Sequence, residues 1–471
     1  MFRILFCGLY LLSCACVAQQ ATLYKHATLL VPEQNKRLED AFFVVENGRF
    51  TAVGQGEIPA HFAALATVVD LKQHYVTAGM IDTHAHMTLG AVTFEVIDES
   101  VSLRANQSLA IGRWNGQRLL AHGVTAVREP GGDTTTTLAY RDAQQSGGLV
   151  GPRARVAGSI LNTDAFTGLV EAVDDAQALR AAIDAQATQG VDFIKLYTGL
   201  SETQLAAGVA QAKLHNLPVI AHLEDLSWQR GAELGVEHLV HAMPVSPALL
   251  PELQRKEYLE QRKPTTIHWA QWYAAVDFDA AEMTKLYATL AKQNVAVDPT
   301  LIVFYNTFFG NSAAVTEHAA LDLAHPEVLE NWRSFYHFTI GWEKEDFALA
   351  ATTWPKVLEL VKRLHTEGVR LSVGTDLGNP WVIPGESYHQ ELQLLVAAGL
   401  TPMEVLQLAT VNGAAVLGLS DQLGRIATGY QADFVVYQQD PSVAIENSRT
   451  ITAVYQDGAQ VRRPELTVDT Q

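Results

Sequence analysis

The sequence predicts an α/β protein: a (β/α)8 TIM barrel joined to a small β-sandwich domain. Apolar, β-rich runs alternate with helical stretches through the middle of the chain, and eight such runs can be counted. Strand-like segments near both chain ends predict that the first and last segments meet in one sandwich. We therefore assign residues 19–75 and 419–471 to the sandwich and residues 76–418 to the barrel.

Composition sets limits on the class of protein. The 471 residues are 48% hydrophobic, which is enough for a large core and more than one domain. The formal net charge is -18. A nucleic-acid groove is therefore not expected, because phosphate contacts need clustered Lys and Arg. We expect a small-molecule substrate instead, and the sequence leaves a homo-oligomer open.

Residues 1–18 are predicted to be a signal peptide. Arg3 supplies the positive charge, the apolar run 4–12 is too short to span a bilayer, and Ala18 is the small residue before a cleavage point. This pattern predicts an exported protein, periplasmic or secreted, whose mature chain has no transmembrane span.

A lipoprotein is the alternative. Residues 11–14 resemble a bacterial lipobox, in which Cys14 would carry the lipid anchor. Cys7 and Cys16 lie in the same leader, so the mature chain would have no internal disulfide and no cysteine metal ligand.

The sandwich is predicted from short strands at both ends. Runs 41–45 and 50–53 flank the hairpin turn Glu46-Asn47-Gly48-Arg49. Runs 432–437 and 451–455 supply the matching strands near the C-terminus.

The barrel is predicted from strands separated by helices such as 176–188 and 202–215. An active site in this fold lies at the C-terminal ends of the strands. The predicted strands end near His86, Arg128, Ile160, Tyr197, Leu223, Ala242, Val303 and Asp376.

The first barrel strand ends in Asp82-Thr83-His84-Ala85-His86. Residues two apart in a strand point to the same face, so His84 and His86 are expected to project together. Two imidazoles on a rigid element make half of a transition-metal site, although a pair of surface or core histidines has the same spacing.

The fourth strand carries a lysine in an apolar run, Val191 to Tyr197. Burying Lys195 is costly unless the amine is paired or chemically changed. Snorkelling or a salt bridge would satisfy it. Reaction with carbon dioxide, which gives a carbamate able to bridge two metal ions, is the other possibility.

Three further strand ends offer metal ligands. The fifth ends in His222 and the eighth in Asp376, a carboxylate that can bind metal and carry a proton. The sixth contains His238 and His241, which face opposite sides because they are three apart. We choose His241, at the C-terminal end, as the ligand.

Taken in order, these motifs resemble the binuclear amidohydrolase superfamily, and the Ile-Lys-Leu-Tyr strand resembles its imidazolonepropionase-related branch, especially the prolidase-like members. The resemblance covers nearly all of the mature chain. It is carried by Asp82 to His86, Ile194 to Tyr197, Ala221-His222, Gly235 to His241, Gly374 to Asp376 and Gly424 to Asp433.

The resemblance implies two divalent metal ions, with zinc expected, bridged by a carboxylated Lys195. It implies that His84, His86 and Asp376 hold one ion and that His222 and His241 hold the other. A hydroxide bridging the ions would attack the carbonyl, and Asp376 would carry its proton to the leaving nitrogen.

Two residues are candidates for substrate binding. Arg128 ends the second strand and would suit a substrate carboxylate, with a salt bridge to Glu129 or another acid as the alternative. Tyr197 lies two residues after Lys195, so it is expected to face the same side and to contact substrate or oxyanion. The aromatic connection 304–342 is either a lid or substrate wall, or an extra helical pair packed on the barrel.

We interpret the chain as an exported, metal-dependent amidohydrolase that cleaves peptide-like bonds in dipeptides or N-acyl amino acids. The alternatives are hydrolysis of a cyclic amide or imide, or a deamination. A binding protein on a decayed barrel is disfavoured, because it would not need Lys195 and Asp376 together.

Overall fold

A computed structural model describes residues 21–97 and 100–462 of the chain. The predicted signal peptide and all three cysteines lie outside the described residues. Among the helices of the described part, none combines the length and the apolar character that crossing a bilayer requires.

The middle of the chain forms the predicted barrel. Its strands pair in parallel, and two bridges complete the ring: Ala157 with Phe193, between strands three and four, and Ala85 with Leu377, between strands one and eight. In chain order, barrel strands one to eight are Met80–Asp82, Val124–Glu129, Arg153–Val156, Ile194–Leu196, Val219–Ala221, His238–Val240, Ala296–Asp298 and Arg370–Leu371.

Helices follow the barrel strands, as the alternating pattern predicted. Several begin where a side chain satisfies free backbone N–H groups: Asp175 accepts from the backbone of Gln177 and Ala178, and Ser201 and Gln204 form a capping box. The main helices after strands one to eight are Leu109–Ala121, Thr134–Gln145, Ala176–Gln189, Glu202–Leu214, Trp228–Leu234, Ala281–Lys292, Lys344–Thr366 and Glu386–Ala397.

Four predicted strand ends lie four or five residues too late in the chain. Strand one ends at Asp82 rather than near His86, and strand eight ends at Leu371 rather than near Asp376. Strand three ends at Val156, and Ile160–Asn162 is a separate short strand. Strand seven ends at Asp298, because Pro299 cannot continue the pattern of hydrogen bonds and Thr300 adopts a left-handed backbone, φ 46°. Val303 therefore lies in the helix Leu301–Phe308, whose β-branched and aromatic residues imitate a buried strand.

The two chain ends form the predicted small domain, a sheet that curls over its own core. Two other strands separate Thr22–Val31 from Ile451–Gln456 in this sheet, yet the rings of Tyr24 and Tyr455 lie 5.5 Å apart. The strand order in the sheet is Ala459–Gln460, Ile451–Gln456, Phe434–Tyr437, Tyr75–Ala78, Thr22–Val31, Lys36–Glu46 and Arg49–Gln55. A further strand, Thr67–Asp70, also pairs with Thr22–Val31.

The hairpin turn falls where it was predicted, since Asn47 and Gly48 join two antiparallel strands with φ of 52° and 74°. The boundary with the barrel lies later than residue 75. Tyr75–Ala78 pairs with both halves of the small sheet, so the barrel begins after Gly79.

Several elements are added to the barrel on the side of its C-terminal strand ends. Strands Leu89–Ile97 and Ser100–Gln107 form an antiparallel arm, and short strands Ile160–Asn162 and Val170–Ala172 extend the loop after strand three. The other helices of the described barrel segment are Glu252–Gln261, His268–Ala275, Leu301–Phe308, Ala313–Thr316, Pro326–Ser334, Pro402–Gln407, Leu408–Asn412 and Gly413–Val416, with short 3-10 helices at Pro247–Leu249 and Leu321–Leu323. The small domain adds Ala60–Ala63, Pro32–Gln34 and Ile445–Arg449.

Candidate metal centre and active site

One cavity of about 260 Å³ lies at the C-terminal ends of the barrel strands. The structure brings every predicted metal ligand to the wall of this cavity, together with the predicted substrate residue Tyr197. These ligands come from strands one, four, five, six and eight, and are His84, His86, Lys195, His222, His241 and Asp376.

Two histidines converge on one carboxylate oxygen. His84 Nε2 lies 3.2 Å from Asp376 Oδ1, and His86 Nε2 lies 3.3 Å from the same atom. The carboxylate is ionised: although burial opposes its charge, His84 and His241 hold the pKa of Asp376 well below its usual range. His84, His241 and Asp376 also present ligand atoms that all lie within 4.8 Å of one another.

The hydrogen bonds on the far side of these rings decide what their inner nitrogens can do. His86 Nδ1 donates to the carbonyl oxygen of Gly131 at 2.6 Å, and His84 Nδ1 donates to Asp298 Oδ1 at 2.7 Å. In the neutral rings, both Nε2 atoms then turn lone pairs toward Asp376. Lone pairs facing a carboxylate repel unless a cation lies between them, so this pair of histidines fits a metal ion.

The raised pKa of His86 also indicates that this site favours a positive charge. Burial alone would lower this pKa, but the carboxylates of Asp376 and Glu129 outweigh burial and raise the pKa to about 10. Without a metal ion, the site would therefore hold a proton.

Lys195 is buried, and its amine has no hydrogen-bond partner within the described chain. Burial lowers the pKa of Lys195 to about 7, so an appreciable fraction of the amine is neutral near neutral pH. The salt bridge that would have satisfied this lysine is not found in the described part of the structure. A buried amine without a partner, beside side chains that can bind metal, fits a lysine that is covalently modified.

His222 is the second unsatisfied group. Neither of its ring nitrogens has a hydrogen-bond partner among residues 21–97 and 100–462, and Glu224 is 3.8 Å away. Burial lowers the pKa of His222, which favours the neutral ring that coordinates metals. Its ring lies 4.5 Å from His241 and 4.7 Å from Tyr197.

On strand six, His241 lines the cavity and His238 does not. His241 Nδ1 lies 2.8 Å from Thr300 Oγ1, which orients the ring. His238 is buried next to Phe193, with ring centroids 5.9 Å apart.

Backbone strain is concentrated at the site. His241 and Asp376 have left-handed φ angles of 68° and 61°, which cost of order 1–3 kcal/mol each. Gly374 is required next to them: a Cβ there would lie 2.8 Å from the Cβ of His84 and 3.1 Å from that of Asp298. The eighth strand can therefore approach the first and seventh only with glycine at this position.

Arg128 does not reach the substrate cavity, so its predicted role in substrate binding is wrong. The side chain is 0% exposed; its Nε donates to the carbonyl of Thr83 at 2.7 Å, and its Nη2 donates to Asp298. The salt-bridge alternative is what the structure contains, with Asp298 as the acid.

The aromatic connection after strand seven lines the cavity with some of its residues and packs on a long helix with others. Phe304, Tyr336 and Phe338 line the cavity. Tyr305 and Phe309 instead pack on Trp354 of the long helix Lys344–Thr366, with ring centroids 5.7 Å and 6.0 Å away.

Two acids near the site were not predicted from the sequence. Asp298 ends strand seven and was hidden because that strand was expected to continue to Val303. Glu224 follows His222 by two residues, a spacing that could have placed it on the same side. It lines the cavity and lies 3.2 Å from His268 Nε2.

Comparison with known proteins assigns the class. The model of the amidohydrolase family matches residues 75–461, and the chain belongs to this family. Imidazolonepropionase of Acinetobacter baumannii is 24% identical over 426 residues, which cover 88% of this chain and 91% of that protein.

Solved structures share the fold over almost the whole chain. A Xaa-Pro dipeptidase with bound methionine has a TM-score of 0.67 at 19% identity, covering 93% of this chain and 99% of its own. Bottromycin amidohydrolase has a TM-score of 0.71 at 22% identity, covering 95% and 88%. The family match confirms the amidohydrolase superfamily that the motifs indicated, and the imidazolonepropionase relatives agree with its imidazolonepropionase-related branch. The protein is a metal-dependent hydrolase of carbon–nitrogen bonds.

Proposed function

We propose that the chain binds two divalent ions, with zinc expected, and hydrolyses a peptide-like amide bond in a small molecule. The observation that carries this proposal is the buried Lys195 amine without a partner among the described residues, at the wall of a cavity that five other ligand-type side chains share. His84, His86 and Asp376 would hold one ion, His222 and His241 the other, and a carboxylated Lys195 would bridge them.

Carboxylation would remove the cost of burying the unpaired Lys195 amine. The neutral amine attacks carbon dioxide, a C–N bond forms, and one proton leaves, which converts an unpaired base into a carbamate anion. The lowered pKa of Lys195 supplies the neutral amine that this reaction needs. An anion is also the partner that two nearby cations require.

When bound, the two ions would polarise the amide carbonyl and lower the pKa of a water molecule. Asp376 supplies the proton transfer: its ionised carboxylate accepts a proton from the attacking water and returns it to the leaving nitrogen. Tyr197 lines the cavity beside His222, and its hydroxyl would donate a hydrogen bond to the developing oxyanion.

Dipeptides and N-acyl amino acids are the proposed substrate class, because a cavity of about 260 Å³ suits a small molecule rather than a folded protein. A cyclic amide or imide is the second candidate. It is favoured by one observation: among the described residues that line the cavity, Lys195 is the only Lys or Arg, so a ligand without a carboxylate fits as well.

The test is a screen of linear N-acyl amino acids, dipeptides and cyclic amides with metal-loaded and chelator-treated protein. We expect metal-dependent hydrolysis of linear amides. Hydrolysis restricted to cyclic amides would replace the first candidate with the second. Deamination without amide cleavage, or no metal-dependent reaction at all, would contradict both.

Export is also proposed, on the strength of the leader-like residues 1–18 alone. Attachment through Cys14 remains the alternative to release in soluble form.

A further inference from the structure

Four aromatic residues form a continuous wall of the cavity, here called the aromatic wall: Trp269, Phe304, Tyr336 and Phe338. The ring of Trp269 lies 5.7 Å from Phe304 and 6.1 Å from Phe338, and Phe338 lies 5.8 Å from Tyr336. The wall is assembled from three separate segments, and adjacent rings hold one another in place.

The polar atoms of the aromatic wall already have partners in the protein. The Tyr336 hydroxyl donates to Asn379 Oδ1 at 3.1 Å, and Trp269 Nε1 donates to Glu224 Oε1 at 3.3 Å. The aromatic wall therefore presents mainly ring carbon atoms to a ligand. Phe166 and Leu169, from the loop after strand three, add further apolar lining.

Charged groups around the cavity disfavour a substrate carboxylate. Apart from the proposed metal ligands, the described residues that line the cavity include no Lys or Arg and one acid, Glu224. Arg262 does not line the cavity: it pairs with Asp225 at 2.5 Å and lies 3.8 Å from Glu224. Arg128 is likewise held by Asp298.

We propose that the substrate places an uncharged aromatic group against the aromatic wall, and that a free carboxylate next to the scissile amide is not recognised. The preferred members of the proposed class are then N-acyl aromatic amino acids, cleaved at least as well with the carboxyl group blocked as with it free. This inference rests on the proposed amide hydrolysis, since it specifies the substrate of the same site.

Three probes with the same N-acetyl amide test it: N-acetyl-phenylalanine methylamide, N-acetyl-alanine methylamide and N-acetyl-phenylalanine. With the metal-loaded full chain, acetate release from the phenylalanine methylamide should exceed that from the alanine probe by about tenfold or more in kcat/KM. The blocked phenylalanine probe should be cleaved at least as well as the free acid. A preference for the free acid, or equal values for phenylalanine and alanine, would overturn the inference.

Binding is measured separately, by calorimetry with the metal-loaded Asp376→Asn full chain, which keeps the aromatic wall. The phenylalanine methylamide should again bind about tenfold more tightly than the alanine probe. If the wild type cleaves no probe but this binding preference is found, the proposed hydrolysis is wrong and the recognition is right. If the wild type cleaves the probes without preference, the recognition is wrong and the hydrolysis is right.

A pair of variants locates the effect. Phe338→Ala should lower the phenylalanine-to-alanine ratio severalfold, because it removes one ring of the aromatic wall. Phe335→Ala is the matched control: this ring lies three residues earlier and packs on Phe94 at 4.6 Å, outside the lining. An unchanged ratio in Phe338→Ala, or an equal drop in both variants, would contradict the assignment of the wall.

Discussion

Asp298 Oδ1 lies 2.7 Å from Nδ1 of His84, and both side chains are buried. This contact fixes the ring of His84 so that Nε2 faces Asp376. The other oxygen of Asp298 accepts a hydrogen bond from Arg128. The Asp298 carboxylate therefore links a proposed metal ligand, His84, to the buried guanidinium of Arg128. These three residues come from three different barrel strands.

Asp298→Asn should weaken metal binding, because an amide cannot accept hydrogen bonds from both His84 and Arg128 without turning its NH₂ toward one of them. We expect metal affinity or turnover to fall about 10–100-fold. Metal titration of the purified variant measures this. Asp192→Asn is the control, since Asp192 also pairs with arginines, Arg141 and Arg155, but lies outside the cavity lining. Equal metal affinity in Asp298→Asn and wild type would refute the positioning role.

Arg128→Met should act on stability rather than on substrate choice. Removing one partner of a buried ion pair leaves Asp298 uncompensated, which costs roughly 3–5 kcal/mol in the free energy of unfolding. Denaturant unfolding measures the loss. The ratio of kcat/KM for free and carboxyl-blocked substrates should match that of the wild type. A change in that ratio would restore Arg128 as a substrate contact.

Asp376→Asn should reduce turnover more than it reduces metal content. The amide oxygen still coordinates weakly, but the group no longer carries a proton, a step worth roughly 10²–10⁴-fold. Turnover and metal content are measured on the same preparation. Glu224→Gln, which removes another carboxylate from the cavity lining, should cause a smaller loss. Normal turnover in Asp376→Asn would rule out the proton-carrier role.

The meeting of the six predicted ligand residues at one cavity could be predicted from the sequence, because it depends on local spacing and on one rule of the fold. Each predicted ligand lies close to the C-terminal end of a strand, and the strands of a parallel barrel all end on the same side. The choice of His241 over His238 needed no more than this rule. The ligands' supporting partners could not be predicted, since contacts such as His84 with Asp298 link residues 214 positions apart.

Other features depended on packing that local pattern does not reveal. The apolar residues after Thr300 suit a buried strand or a buried helix equally well, so strand seven was extended and Asp298 was missed. Arg128 stands at a strand end, where substrate contacts are common, but only the tertiary structure shows the acid beneath it. The aromatic wall combines segments far apart in sequence, and no periodicity connects them.

Glu391 gives a pH dependence of stability. Its carboxyl accepts from the backbone N–H groups of Leu301 and Ile302 at 2.9 Å and 2.7 Å, where the helix after strand seven begins. Burial raises the pKa of Glu391 from 4.5 to about 8. Between these values the folded protein retains a proton that the unfolded chain has lost, so stability falls as the pH rises through this window.

Between about pH 5 and pH 8, the free energy of unfolding should fall in the wild type and fall less in Glu391→Gln. The two decreases should differ by more than about 1 kcal/mol. Denaturant unfolding at the two pH values gives the difference. Glu386→Gln, on the same helix and paired with Arg449, is the control and should behave as the wild type. An identical pH dependence in Glu391→Gln would show that Glu391 does not titrate in this range.

Export predicts the length of the mature chain. Protein made in an exporting bacterial host should lack the residues before about Gln19, because the short apolar run and Ala18 form a cleavable leader. Intact-mass measurement decides this. A mass that includes Met1 would contradict processing, and acyl chains on Cys14 would contradict soluble release.

Metal stoichiometry tests the central claim most directly. Elemental analysis of the purified wild type under metal-replete conditions should find two divalent ions per chain. Lys195→Ala should lose the bridging anion, with a fall in metal content and most of the activity, while the exposed-site control Lys285→Ala keeps both. One metal or none in the wild type, or two metals and full turnover in Lys195→Ala, would contradict the account.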